Sequence, residues 1–302
     1  MERRERKIGL IVFIILSILA NFSLGMSSDL DEKVAIVCFL EGKAWIVEPG
    51  QKERSEIYLF DWIETGALIE TEREAKLILA FSSGDRYEIG EKSKITIGQN
   101  EFTSKTGSIK ELKPVPVMPQ IASISLESRP GSRMGGIRLR GSKRAISGLY
   151  PSEGETVLAD DAILTFEPLE GVEKYRIEIE DEWGNNIFSL ETGSPKIFAS
   201  PGVLKPGANY YWEVRTLEKD KPSTVSYAAF ATVSEEYALT RNAFKAQAYQ
   251  TKDGPDLLLL AQLEMALGLR KEACETLEIA LGLFPDNLEI KNAIAKFDCK
   301  LK

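Results

Sequence analysis

The 302-residue chain contains no histidine, and that removes most of the side-chain chemistry available near neutral pH. Ser-His-Asp and Cys-His nucleophile pairs, His-ligated zinc and the commonest general base are all lost with it. Carboxylates remain. Glu178, Glu180, Asp181 and Glu182 are close enough in sequence to hold calcium or to form an acid and base pair. Alternation nevertheless puts Glu178 and Glu180 on the wet face of a strand, so a solvated surface is the expectation. Gly136 and Gly141 have the spacing of a phosphate-binding loop, but Ser142 and Lys143 stand in the wrong order and no strand-to-helix unit surrounds them. The expectation is therefore of no catalytic residue, no metal ligand and no cofactor. Cys38, Cys274 and Cys299 are an odd number, so at most one internal disulfide can form. Cys274 with Cys299 is the pair that could close, set against a reading of both as small apolar residues in a helical core.

Recognition is better provided for than reaction. Trp183 sits in a polar hairpin tip with little local core to join, so it either packs on a neighbouring module or anchors a partner or glycan. Arg129, Arg133, Arg138, Arg140, Lys143 and Arg144 gather against the single acid Glu127, in a chain of net charge −8. Such a run is first a solvated segment. The sharper alternative is contact with an anionic surface: lipid headgroups, cell-wall polymer or the chain's own acidic domains. Net acidity and the export signal below disfavour nucleic acid.

The elements that must present these residues fall into a leader and three modules. Arg3, Arg4, Arg6 and Lys7 precede an apolar run over 8–20, short for a spanning helix and of the length of a signal-peptide core. Residues 1–25 thus read as a signal peptide or, where it is retained, an inner-membrane anchor. The product is expected in the periplasm or at the cell surface. Residues 34–103 alternate apolar and polar side chains in short runs punctuated by glycine, the pattern of an all-β module in which Leu77, Leu79 and Phe81 share one face. Trp45 and Trp62 read as its core. Residues 104–147 are rich in proline, serine and glycine and read as a basic linker. A second β module covers 148–234, with Tyr175, Ile177 and Ile179 alternating against charged neighbours. Over 235–302 the period becomes helical, predicting helices at 235–249, 256–267, 271–283 and 288–300, with Asp256 and Asn287 as N-caps. A tail this short should lean on the sandwich or on a partner. The fold class is multi-domain and mainly β, with helical hairpins at the C-terminus.

Each module resembles a known family. Asp61, Gly66, Leu68, Thr71, Ala75, Leu77, Leu79, Gly84, Tyr87, Ile89, Ser93 and Ile95 carry a resemblance to the FecR-type domain, although Ser83-Gly84-Asp85 reverses the usual hairpin order and Ala67 replaces a frequent aspartate. That resemblance implies a sensing or docking role. The seven residues before the apolar run leave no room for the cytoplasmic sigma-regulator domain of the family's best-known members. Leu204, Pro206, Gly207, Tyr210, Trp212 and Val214 are similar to the corner of a fibronectin type III or immunoglobulin-like β-sandwich, with Phe166 where many members place tryptophan. Leu260, Ala261, Ala273, Leu277, Ala280 and Pro285 resemble one tetratricopeptide repeat of about 34 residues. Together they imply a non-enzymatic, exported envelope adaptor that docks or scaffolds protein partners. Two alternatives stand beside it: a peptidoglycan or polysaccharide binding module, and a signal-sensing regulator without its output domain.

Overall fold

The computed structural model describes residues 33–116, 118–127, 145–218 and 222–299. The leader and the basic residues Arg138, Arg140, Lys143 and Arg144, with Gly136 and Gly141, lie outside them. The described residues are mainly β, with helices at the C-terminal end.

The first β module comprises β1 (Lys33–Glu41), β2 (Ala44–Val47), β3 (Ser55–Glu56), β4 (Trp62–Glu64), β5 (Leu68–Thr71), β6 (Lys76–Phe81), β7 (Arg86–Ile89), β8 (Lys94–Ile97), β9 (Phe102–Thr106) and β10 (Ile109–Leu112). They form two five-stranded antiparallel sheets, β10-β7-β6-β1-β4 and β3-β2-β5-β8-β9. Leu77, Leu79 and Phe81 do share one face, and they meet Ile69, Ile95 and Ile97 of the opposite sheet in a buried core. Gly84 turns β6 into β7 at a φ of +104°. A Cβ there would lie 2.9 Å from the Val115 carbonyl oxygen, so only glycine fits the turn and the approach. The tryptophans are not in this core. Trp45 is half-buried, donates to Glu72 Oε1 at 2.7 Å and lies under the Arg54 guanidinium at 4.5 Å. Trp62 packs on the other side, toward the helices.

The stretch expected to be linker is partly structured. β9 and β10 carry the first module on to Leu112, and α1 (Met118–Glu127) buries Met118, Ile121, Ala122 and Ile124. Its prolines misled because Pro119 occupies the second helical position, where a missing N–H leaves no bond unmade.

The second module contains β11 (Glu155–Val157), β12 (Ile163–Thr165), β13 (Tyr175–Asp181), β14 (Asn186–Thr192), β15 (Lys196–Phe198), β16 (Asn209–Thr216) and β17 (Val225–Thr232). The sheet β11-β17-β16-β13-β14 packs over the pair β12-β15 as an immunoglobulin-like sandwich. Trp212 fills its centre and donates Nε1 to the Pro151 carbonyl at 2.8 Å.

Four helices complete the described chain: α2 (Glu235–Thr251), α3 (Gly254–Ala266), α4 (Arg270–Leu283) and α5 (Leu288–Lys296). Asn287 caps α5, accepting from Ile290 N at 3.0 Å. Asp256 is no cap. Pro255 starts α3 earlier, Asp253 takes the N-cap position, and Asp256 turns inward. Cys274 and Cys299 form a disulfide, tying α4 to the chain beyond α5. Cys38 is free and buried, and burial pushes its thiol up to about 12.

The tail leans chiefly on the first module rather than on the sandwich. Ile36, Cys38 and Phe39 of β1, with Ile78 and Ala80 of β6, face away from the inter-sheet core and join one cluster with α1, α3, α4 and α5. Leu257, Leu258, Leu259 and Leu260 are all fully buried, because α3 is enclosed by sheet and helices alike. Polar bonds fix the docking. Arg86 of β7 pairs with Asp256 at 2.6 Å, both side chains being buried, and donates Nε to the Lys113 carbonyl at 2.7 Å. Asn287 Nδ2 donates to the Leu40 carbonyl at 2.9 Å. A smaller contact reaches the sandwich, where Leu158 and Val233 meet Leu269 and the Lys271 ammonium lies 5.0 Å from the Tyr150 ring.

These contacts make two predictions. Arg86→Ala strands the Asp256 carboxylate and is expected to cost about 3–5 kcal/mol in urea unfolding, whereas the double variant Arg86→Leu/Asp256→Leu is expected to recover much of it. Glu272, near Tyr150, has a buried Oε2 without a hydrogen-bond partner, and burial raises its carboxyl above the usual range. A carboxyl raised on folding adds stability only while protonated, and that gain is lost as pH rises through the folded value. Glu272→Gln is therefore expected to melt above the wild-type chain at neutral pH, with the two melting temperatures converging near about pH 4.

Candidate interaction site on the sandwich

β13 and β14 form a hairpin whose tip is built by Asp181. Its Oδ1 accepts from Trp183 N at 3.0 Å and Asn185 N at 2.9 Å, and Oδ2 accepts from Asn185 Nδ2 at 2.9 Å. Gly184 supplies the positive φ of +81° that the turn needs. The Asn185 side chain and backbone hold the Asp181 carboxyl below its usual range. Such a group is a poor proton acceptor near neutral pH, and Asp181 serves the turn. Among the described residues no group of three or more His, Cys, Asp or Glu could hold a metal ion.

Among the described residues this tight turn leaves Trp183 largely uncovered, its side chain being 70% exposed. Its ring borders a cleft of ≈ 320 Å³, lined also by Glu182, Ile187, Val203, Lys205 and Asn209. The floor is fixed by the corner that precedes β16. Tyr210 is buried, and its hydroxyl accepts from Lys205 N at 2.7 Å, as the sequence of that corner implied. An aromatic platform beside an ammonium, a carboxylate and amides can hold a side chain or a sugar ring, and it offers no nucleophile with an adjacent base.

Glu178 and Glu180 project from the outer face of β13, away from this cleft, together with Tyr211 and Tyr227 of β16 and β17. The tyrosines were missed because alternation identifies a wet face without saying what gathers on it. Lys205 and Asn209 were missed because they reach the cleft only through the fold of the corner.

No protein-family model matches the chain, and no curated protein does. Among solved structures, CopC from Methylosinus trichosporium OB3b is 19% identical, with a TM-score of 0.24, over 30% of this chain and 94% of that one. An fn3 domain of human collagen alpha-1(XX) chain is 16% identical, with a TM-score of 0.25, over 33% of this chain and 90% of that one. At such TM-scores neither likeness bears on what the chain does.

Tyr210→Phe leaves Lys205 N without its acceptor. The expected cost is about 1–3 kcal/mol in chemical unfolding, with faster amide exchange confined to the corner below Trp183.

Proposed function

We propose that this chain is a non-enzymatic, exported docking protein of the cell envelope that uses the Trp183 cleft to hold a protein partner. The observation that carries the reading is the exposed indole, set on a rigid two-strand turn above a preformed cleft. Exposed tryptophan is costly in water, and aromatic anchors of this kind dominate binding energy at interfaces. The basic and apolar leader residues support export. Among the described residues no helix is long and apolar enough to cross a membrane.

The FecR-type resemblance adds a second docking element to this reading. One sheet of the first module is covered by the chain's own helices, so a partner of that module would meet the other sheet, where Trp45 stacks with Arg54. The tetratricopeptide-like helices then act as an internal brace holding the two β modules. One observation favours the polymer alternative: Asn185 and Asn209 flank the indole, and amides beside an aromatic face suit a saccharide.

Affinity capture from envelope extract with the full chain and its Trp183→Ala variant tests the reading. A defined protein should be recovered by the wild-type chain and depleted about tenfold by the variant, a loss of about 1.4 kcal/mol. Equal recovery by both chains would count against the cleft. Trp183-dependent retention on purified cell wall would replace the protein partner with a polymer.

A further inference from the structure

The outer face of the sandwich's larger sheet carries a charge arrangement that the fold does not need. Along β13, β16 and β17 the outward residues fall into register: Glu178 opposite Glu213, Glu180 opposite Tyr211, and Glu213 opposite Tyr227. Like charges directly opposed across strands are destabilising. Only part of this charge is answered. Arg215 is bound to Glu213 and Arg176 to Glu191 of β14, with Arg176 also acting on Glu178 electrostatically, while neither Glu178 nor Glu180 forms an ion pair among the described residues.

Two aromatic rings stand beside these carboxylates. Tyr211 is 40% and Tyr227 44% exposed, and Ala229, opposite Tyr211, adds little bulk between them. The result is a concavity of ≈ 260 Å³ lined by Glu178, Glu180, Tyr211, Glu213, Arg215 and Tyr227. Ring faces carry negative potential and attract ammonium and guanidinium groups. Carboxylates beside them add direct charge and acceptors. The face also spans three adjacent strands, or roughly 10 Å at the usual strand spacing. That is wider than one ammonium needs and close to three residues of extended chain.

We propose that this face docks an extended lysine-bearing segment of a partner protein, one ammonium entering between Tyr211 and Tyr227 and a second meeting Glu178 and Glu180. Charge complementarity selects the occupant. An acidic or neutral segment would leave Glu178 and Glu180 without an ion pair, and a lone small cation would leave part of the row empty. The surface is separate from the Trp183 cleft and does not depend on it.

The test is a fluorescence-anisotropy titration of the full chain with a labelled heptapeptide of alternating lysine and glycine. A matched peptide of alternating glutamate and glycine is the control. Saturable binding of the lysine peptide alone is expected. It should weaken about tenfold or more in Glu178→Gln/Glu180→Gln and in Tyr227→Ala, while Tyr227→Phe, which keeps the ring, binds as the wild-type chain does. All are surface changes, and unaltered melting would confirm that the variants are folded. Absence of saturable binding, equal binding of the glutamate peptide, or wild-type affinity in Tyr227→Ala would each overturn the proposal. So would a large gain in affinity on neutralising Arg133, Arg138, Arg140, Lys143 and Arg144, since the chain's own basic segment would then be the occupant.

Discussion

β1 presents Val37 and Leu40 to one side and Ile36, Cys38 and Phe39 to the other, and β6 does the same with Leu77 and Leu79 against Ile78 and Ala80. A sheet with two apolar faces must be covered twice, and the opposing sheet of its own module can cover only one. The second face requires helices, and the chain supplies them from its far end. Four consecutive leucines on α3 lie between that sheet and the neighbouring helices. Each is worth about 1.5–3 kcal/mol relative to exposure, so the helices have as much to gain from docking as the sheet.

Apolar burial alone would let helices slide on a sheet. The polar contacts set one position. Arg86 reaches Asp256 with Asp253, Gln247 and the Lys113 carbonyl beside the pair, and Asn287 both caps α5 and grips the Leu40 carbonyl. A buried ion pair adds little net stability, yet any displacement that separates it strands two charges. The helices then carry this alignment to the sandwich through Leu269 and Tyr150. The Trp183 cleft and the Tyr211–Tyr227 face thus sit on a braced body, and a partner of either would leave less ordering to be done.

Much of this was legible in the residues. Alternation located β6, β8, β13 and β16, and the tyrosine corner placed Tyr210 and Trp212 correctly. Helical period and Asn287 located α5. What escaped was tertiary. Val34 to Leu40 is an uninterrupted apolar run, the mark of a strand buried on both faces, but alternation elsewhere in the module masked it. Prolines suggested a linker where one of them starts a helix. Asp256 has the composition of a cap, and only the distant Arg86 explains why it faces inward. The pairing of Cys274 with Cys299 likewise depends on how α4 and α5 pack, which spacing does not state. Trp183 was identifiable as an oddity, whereas its cleft needed the three-dimensional corner.

The bond from Asn287 to Leu40 joins positions 247 residues apart. Chains are made from one end to the other, so the outward side of β1 is synthesised well before α3, α4 and α5, which complete its cover. In between, an entire sandwich must be produced. The first module therefore waits through the synthesis of the sandwich with part of an apolar sheet face exposed, and contacts this distant are slow to close. Loss of α3 to α5 would leave much of that face uncovered, and β1 and β6 would suffer for damage far along the chain.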